Sequence, residues 1–227
     1  MATAAAEVES QKRAAAERAL ELVRPGMIVG LGTGSTARNF IDGLGRRVRE
    51  GLAVQGVVTS DGSRRLAAAA GIPIVDRIDG GLDLAVDGAD EIDPTLNCIK
   101  GRGGALLREK IVAHASRRFI LIADESKLVG RLGRGPVPIE VLPFLWEATG
   151  RSVESLGGRP ELRLAAGEPA RTDNGNLVLD TTFGIVDVGL GQALHGIPGV
   201  IEHGLFFGMA KAAIIASTAG IRILGEL

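Results

Sequence analysis

Leu82-Asp83-Leu84-Ala85-Val86-Asp87-Gly88-Ala89-Asp90-Glu91 is the stretch that decides the fold. Leu82 to Val86 reads as a buried strand, which puts Asp87 at the strand's carboxyl end. Open α/β sheets bind ligands at that end, in the crevice where strand order reverses. Asp87, Asp90, Glu91 and Asp93 crowd together there, and carboxylates this close raise one another's pKa unless cations or hydrogen bonds intervene. Lys100 follows within reach of a short loop. Gly101-Arg102-Gly103-Gly104 then lets backbone amides approach a ligand closely, just before a helix start whose free N–H groups attract anions.

The helix that follows carries Arg108, Glu109 and Lys110 inside an otherwise apolar run. Three consecutive side chains fan over roughly 200° of a helix, so they cannot all share one solvated face. Glu109 has Ala105, Leu106, Val112 and Ala113 as helical neighbours. A carboxylate in that company is a candidate general base with a raised pKa. The plain alternative is a solvated charge beside a thin apolar stripe.

Upstream, residues 4–23 form an Ala-rich amphipathic helix ended by Pro25-Gly26, with Lys12 on it. Met27 to Leu31 reads as a strand, and Gly32-Thr33-Gly34-Ser35-Thr36-Ala37 leads into a helix that runs to about Glu50. Strand, glycine turn and helix start make an anion site, with amides and the hydroxyls of Thr33, Ser35 and Thr36 converging on it. A tight turn capped by Ser and Thr would look the same. Gly32-x-Gly34-x-x-Ala37 also fits a dinucleotide fingerprint, for which Asp61, after the strand Val54 to Thr59, is the late candidate acid. A helix from Asp61 through Ala70 and a short strand Gly71 to Val75 complete this part.

Downstream, Phe119 to Ala123 is another buried strand with Asp124-Glu125-Ser126-Lys127 at its end. Three strand ends therefore carry polar clusters. Gly130 to Pro138 reads as a linker, followed by short strands at 137–141, 162–164, 177–179 and 184–188. Asp173-Asn174-Gly175-Asn176 is a hairpin turn, and short helices fall at 143–149 and 191–195. The expected fold is α/β: a Rossmann-like, open and mostly parallel sheet flanked by helices (residues 1–131 and 205–227), with a smaller α+β insert (132–204) that offers an oligomerisation surface. Ala212 to Ser217 returns to the first sheet.

The formal charge of −1 and the mixing of acids and bases leave no basic face for nucleic acid. Apolar runs are too short to span a bilayer, and the N-terminus lacks the order of a secretory signal, so a cytoplasmic protein is expected. Cys98 is alone, and His114, His195 and His203 are scattered, so neither an intrachain disulfide nor a metal site is expected.

Gly32 to Thr36, Asp87 to Glu91, Lys100 to Lys110, Asp124 to Lys127 and Thr172 to Asn176 together resemble ribose-5-phosphate isomerase type A, over nearly the whole chain. Arg102 interrupts the family's glycine run, and Leu107 replaces a frequent threonine. The resemblance implies reversible conversion of D-ribose 5-phosphate to D-ribulose 5-phosphate in the non-oxidative pentose phosphate pathway, without metal or organic cofactor, by a homodimer or a tetramer. The family's general base falls on Glu109. Its substrate-contacting segments fall on Thr33, Gly34, Ser35 and Thr36, on Asp87, Gly88, Ala89 and Asp90, on Lys100, Gly101, Arg102 and Gly103, and on Lys127. Lys12 aligns with a lysine near the phosphate.

The chemistry of the residues fits that assignment. One carboxylate over two adjacent carbons can move a proton between them. Lys100 and the amides near Gly103 would steady the anionic enediolate. Asp87 or Asp90 would assist ring opening. Two rivals remain: an NAD-dependent oxidoreductase, on the glycine pattern alone, and a non-catalytic sugar-phosphate sensor. Amino-sugar phosphate deamination and lactone hydrolysis are nearer alternatives.

Overall fold

The larger of two main sheets has the spatial order Gly220–Gly225, Ala212–Ser217, Phe119–Asp124, Leu84–Asp87, Ile28–Leu31, Gln55–Val58. These strands, like everything below, belong to a computed structural model that describes residues 2–227. The inner pairings are parallel, and only the edge strand Gly220–Gly225 runs antiparallel to its neighbour. The chain leaves Ile28–Leu31 toward one side for Gln55–Val58 and returns to its other side for Leu84–Asp87. Strand order therefore reverses between the last-named strand and Ile28–Leu31, where an open α/β sheet opens its crevice.

Side chains on successive strand positions face opposite ways. Leu84, Val86, Ile120 and Ile122 join one core with Ala16, Leu20, Phe40 and Leu44, supplied by the helices Ala2–Leu20 and Ser35–Arg49. Ala85, Leu121 and Ala123 join a second core with Val112 and Ala113 of the helix Leu106–Ala115, and with Phe206. Both faces of the sheet are thus covered, which parallel strands require. The helix Asp61–Ala69 starts with the Ser60 side chain accepting from the Ser63 amide.

A four-stranded antiparallel sheet has the order Val200–His203, Val137–Val141, Leu177–Thr182, Arg159–Leu162 and encloses a third core with Val153 and Leu194. A short three-stranded sheet joins Leu205–Phe206, where the chain returns from the smaller sheet, to Cys98–Ile99 and Glu91–Ile92, which follow Leu84–Asp87.

Several expected elements shift. Gly71 to Val75 contributes one bridge, Gly56 to Ile74, and no strand. The helix expected at 143–149 spans Trp146–Ser155, and the N-terminal helix stops at Leu20. Gly184 to Val188 is not a strand: the Asp187 side chain accepts from the Leu190 amide and caps the helix Val188–His195. The run expected at 162–164 is broken at Arg163, with Leu164–Ala165 turning away to pair with Glu168–Pro169. Upstream of the turn at 173–176 the pairing shrinks to one bridge, Arg171 to Leu177.

Candidate active site

Asp87 ends its strand as a residue that is 3% exposed. Its Oδ1 accepts from the amides of Thr33 at 3.0 Å and Gly88 at 2.7 Å. The approach is possible because residue 32 has no side chain, since a Cβ there would lie 2.1 Å from Asp87 Oδ1. Lys100, which follows the strand Cys98–Ile99, places Nζ 2.9 Å from Asp87 Oδ2, 2.6 Å from the Gly88 carbonyl oxygen and 3.3 Å from Glu109 Oε2. The Gly88 carbonyl accepts a hydrogen bond from the ammonium, and the two carboxylates share its charge.

Glu109 sits on the buried face of its helix with Leu106, Val112 and Ala113, the positions that the i, i+3, i+4 spacing aligns. Its Oε2 is buried and has no hydrogen-bond partner, which makes the contact with Lys100 an ion pair without hydrogen-bond geometry. Burial pushes the Glu109 carboxyl up to about 8. Lys100 opposes that rise and the charge of Asp87 adds to it. Burial also raises Asp87, against the pull of Lys100 and the two amides. For Lys100 burial favours the neutral amine, but Asp87 and Glu109 outweigh it and hold the side chain charged. One cation thus serves two buried carboxylates. Asp87 has the closer contact with Lys100 and the two amides, which oppose the rise that burial causes there.

The crowded carboxylates of 87–93 are drawn apart. Asp90 Oδ2 accepts from the Arg102 amide at 3.0 Å. Glu91 turns to the amides of Gly133, Arg134 and Gly135, and Asp93 closes its own turn through Thr95 and Asn97. Only Asp87 keeps a charged neighbour within 3 Å.

A cleft of about 200 Å³ opens beside these groups. Every expected site residue except Asp87 lines it: Lys12, Thr33, Gly34, Ser35, Thr36, Gly88, Ala89, Asp90, Lys100, Gly101, Arg102, Gly103, Glu109 and Lys127. Asp87 stands behind the wall, with both oxygens taken. At the far end, Gly34 (φ 109°) precedes the helix Ser35–Arg49 without a side-chain cap, leaving its first N–H groups open to an anion. Lys12 reaches the cleft while pairing with Glu9 at 3.6 Å. The Thr33 hydroxyl does not join Ser35 and Thr36 at the anion end. It bonds instead to the hydroxyls of Thr59, Ser60 and Ser63 at 2.7, 2.8 and 2.9 Å, fixing the glycine turn to the next strand end.

Asp61, the acid that a dinucleotide site would use, accepts from Arg108 Nη1 at 2.9 Å, and its amide donates to Asp173 at 2.7 Å. Arg108 also donates to Asn174 Oδ1 and to the Asp173 carbonyl. The turn itself is gathered on one oxygen of buried Glu140, which accepts from Thr172, Asn174 and Asn176. Thr172 to Asn176 therefore anchors the residue next to Glu109 rather than lining the cleft.

Two groupings were not legible in the sequence. Arg163 donates from Nη1 to the carbonyls of Gly101 at 2.9 Å and Arg102 at 3.0 Å. His195, Glu202 and His203 come together, but Glu202 is paired with Lys110 at 2.7 Å, and both His203 nitrogens are occupied, by the Gly191 carbonyl and the Leu205 amide. Burial pushes His203 down to about 3, so it stays neutral.

The family model for ribose 5-phosphate isomerase A (phosphoriboisomerase A) matches residues 55–220. The chain is 52% identical to the ribose-5-phosphate isomerase A of Bradyrhizobium diazoefficiens, covering 96% of each protein. It is 50% identical to that of Thermomicrobium roseum, covering 95% of this chain and 94% of the other. Among solved structures, the enzyme from Methanocaldococcus jannaschii superposes with a TM-score of 0.92 at 39% identity over 96% of this chain and 99% of that one. A D-ribose-5-phosphate isomerase in complex with phospho-erythronic acid gives 0.93 at 42% identity, with the same coverage.

Proposed function

The chain belongs to the ribose 5-phosphate isomerase A family, and from that premise we propose that Glu109 carries the proton between the two carbons of its substrate. The chain is an aldose–ketose isomerase that interconverts D-ribose 5-phosphate and D-ribulose 5-phosphate. The observation that carries the assignment is the buried pairing of Glu109 with Lys100 on the cleft wall, in a setting that raises the carboxyl to about 8. A base poised near working pH is suited both to accept a proton and to return it.

The steps follow from what each group has free. Asp90 assists ring opening, because it faces the cleft while both oxygens of Asp87 are engaged. The open-chain aldehyde then lies with C2 against Glu109, which removes the C2 proton and gives a cis-enediolate. The same carboxyl returns a proton to C1, and the hydroxyl proton moves from O2 to O1, leaving the ketose. Lys100 holds Asp87 and Glu109 in place and supplies positive potential to the developing oxyanion. The 5-phosphate rests on the open helix start at Ser35 and Thr36, with Lys127 and Lys12 beside it, and this anchors C1 and C2 at the base.

Residues 1–131 and 205–227 act as the catalytic unit, and 132–204 as a smaller unit that also carries self-association. The exposed side chains of Phe144, Leu145 and Leu142 support a homodimer through this part, and sedimentation would read dimer, tetramer or monomer directly. Among the described residues no helix is long and apolar enough to cross a membrane, and action on a metabolic sugar phosphate supports a cytoplasmic site.

Incubation with ribose 5-phosphate in deuterated water tests the reading. Ribulose 5-phosphate carrying deuterium at C1 is expected, from exchange of the Glu109 proton with solvent before its return. Ketose formed with no exchange under any condition would point to direct hydride shift, and absence of ketose would remove the assignment.

A further inference from the structure

The cleft has a shortage of oxyanion donors. Lys100 donates to the Gly88 carbonyl, and its charge is shared between Asp87 and Glu109, so the ammonium acts on the substrate through its charge more than through a free N–H. The remaining donors are the amides of the loop Gly101-Arg102-Gly103-Gly104, and a loop with this much glycine does not hold its peptide planes unaided. Inside the loop the Gly104 amide holds the Gly101 carbonyl at 3.0 Å, so something outside it has to set the Arg102 carbonyl and with it the Gly103 amide.

That something comes from the other sheet. Arg163 is fixed at its own backbone, its amide donating to the Val178 carbonyl and its carbonyl accepting from Ala170, each at 2.9 Å. Its guanidinium is fixed too: Nε donates to Asp180 Oδ2 at 2.7 Å and Nη2 donates to Oδ1, a fork that sets the plane of the group. Nη1 is what remains, and it donates to the carbonyl oxygens of both Gly101 and Arg102. The side chain is only 17% exposed and does not line the cleft.

A trans peptide points its N–H opposite to its C=O, and the described residues contain no cis bond. Drawing the Gly101 carbonyl to Arg163 turns the Arg102 amide the other way, where it meets Asp90 Oδ2 at 3.0 Å. Drawing the Arg102 carbonyl likewise turns the Gly103 amide away from Arg163. Gly103 lies on the cleft wall across from Thr33, and its amide has no acceptor among the described residues. A cation on the carbonyl end also polarises each peptide and strengthens its N–H as a donor.

We propose that Arg163, backed by Asp180, is a positioning residue for the isomerisation: it orients the Gly103 amide as the direct hydrogen-bond donor to the enediolate oxygen. This rests on the isomerase reading above, and it makes the smaller sheet part of the catalytic machinery through a residue that never touches substrate. Asp90 is positioned by the same clamp, through the Arg102 amide.

The test compares Arg163→Met with Arg163→Lys and wild type. Loss of one preorganised oxyanion donor lowers turnover by about a hundredfold, so a misdirected one is expected to cost roughly ten- to a hundredfold in kcat. KM for ribose 5-phosphate should stay within about twofold, because the donor acts on the transition state and not on the bound sugar. Affinity for phospho-erythronic acid, whose carboxylate places two oxygens as the enediolate does, should fall in step with kcat, while inhibition by inorganic phosphate is unchanged. Lysine should restore part of kcat, since an ammonium reaches a carbonyl but cannot keep the fork to Asp180. A folded Arg163→Met with wild-type kcat, or one that loses phosphate affinity to the same degree, overturns the proposal. If that variant does not fold, Asp180→Asn gives the same reading with Arg163 retained: a severalfold fall in kcat at constant phosphate inhibition supports the clamp, and unchanged kcat removes it. Wild-type protein that forms no ketose would be a failure of the isomerase reading and not of the clamp.

Discussion

Lys100 Nζ stands 3.3 Å from Glu109 Oε2, and the two side chains are 3% and 5% exposed. Two charges in so little water are costly unless each has a partner. Lys100 has two carboxylates to choose from, and the geometry gives Asp87 the better share. The consequence is a glutamate that is neither a committed salt-bridge partner nor a solvated charge.

Replacing that glutamate isolates its chemistry. Glu109→Gln keeps the shape and removes the base, so kcat is expected to fall by on the order of a thousandfold, the usual share of general base catalysis. Inhibition by inorganic phosphate should stay as in wild type, because the anion end of the cleft is built from other residues. Steady-state assays of purified variant decide it, and turnover near wild type would take Glu109 out of its role.

The pH profile has a definite sign. Glu109 must be deprotonated to accept the C2 proton, and burial raises it to about 8. The value of kcat/KM should therefore climb with pH through the neutral range and level off above about 8. Stability should move the opposite way. The folded state keeps on Glu109 a proton that the unfolded chain releases from an ordinary value of 4.5, so the contribution is intact below 4.5 and is lost as pH rises through 8. Urea unfolding at several pH values should show a shallower decline for Glu109→Gln than for wild type. Parallel curves would mean that the carboxyl is not raised.

Much of this site could be read from residue order, and the reasons for the rest are specific. The strand before Asp87 and the glycine turn after Leu31 announce themselves by local pattern, and both ends meet at the reversal of strand order. The fate of Glu109 did not follow from helix geometry, because three consecutive charges leave the helix free to rotate either way. The packing of Val112 and Ala113 on the sheet, with Leu106 buried beside them, chose the rotation. Gly184 to Val188 misleads because Ile185, Val186 and Val188 are β-branched residues that favour strands, while Asp187 acts as a cap. The pairing of Leu205–Phe206 with Cys98–Ile99, and the reach of Arg163 to Gly101, join residues far apart in the chain with no local signature.

The closeness of Gly32 to Asp87 makes a structural prediction with a control. In Gly32→Ala the added methyl would meet Asp87 Oδ1 at 2.1 Å, so Asp87 must move and its contact with Lys100 with it. Overpacking of this kind typically costs about 1–3 kcal/mol, and activity should fall along with stability. Gly80→Ala, where the methyl meets nothing within 4 Å, should change neither. Denaturant midpoints and kcat for the pair check both halves, and a fully active Gly32→Ala would show that Asp87 tolerates displacement.

Lys127 bears on binding rather than on chemistry. It ends the 3-10 turn Glu125–Lys127, which is held by Asp124 accepting from the Ser126 amide at 3.1 Å and by Arg134 donating to the Ser126 carbonyl at 2.9 Å. The turn is thus set without help from the lysine's own charge, and among the described residues no carboxylate lies within ion-pair distance of Lys127. A half-buried ammonium on the cleft wall with no partner of its own is available to the 5-phosphate. That contact is the same in ground and transition states, so Lys127→Ala should raise KM with little change in kcat. One charged hydrogen bond is worth about 1.5–3 kcal/mol, which puts the rise at roughly tenfold or more. Inhibition by inorganic phosphate should weaken by the same factor, and added salt should narrow the gap between variant and wild type by screening the contact in both. An unchanged KM with collapsed kcat would move Lys127 from the phosphate to the reacting carbons and would require the sugar to lie in the cleft the other way round.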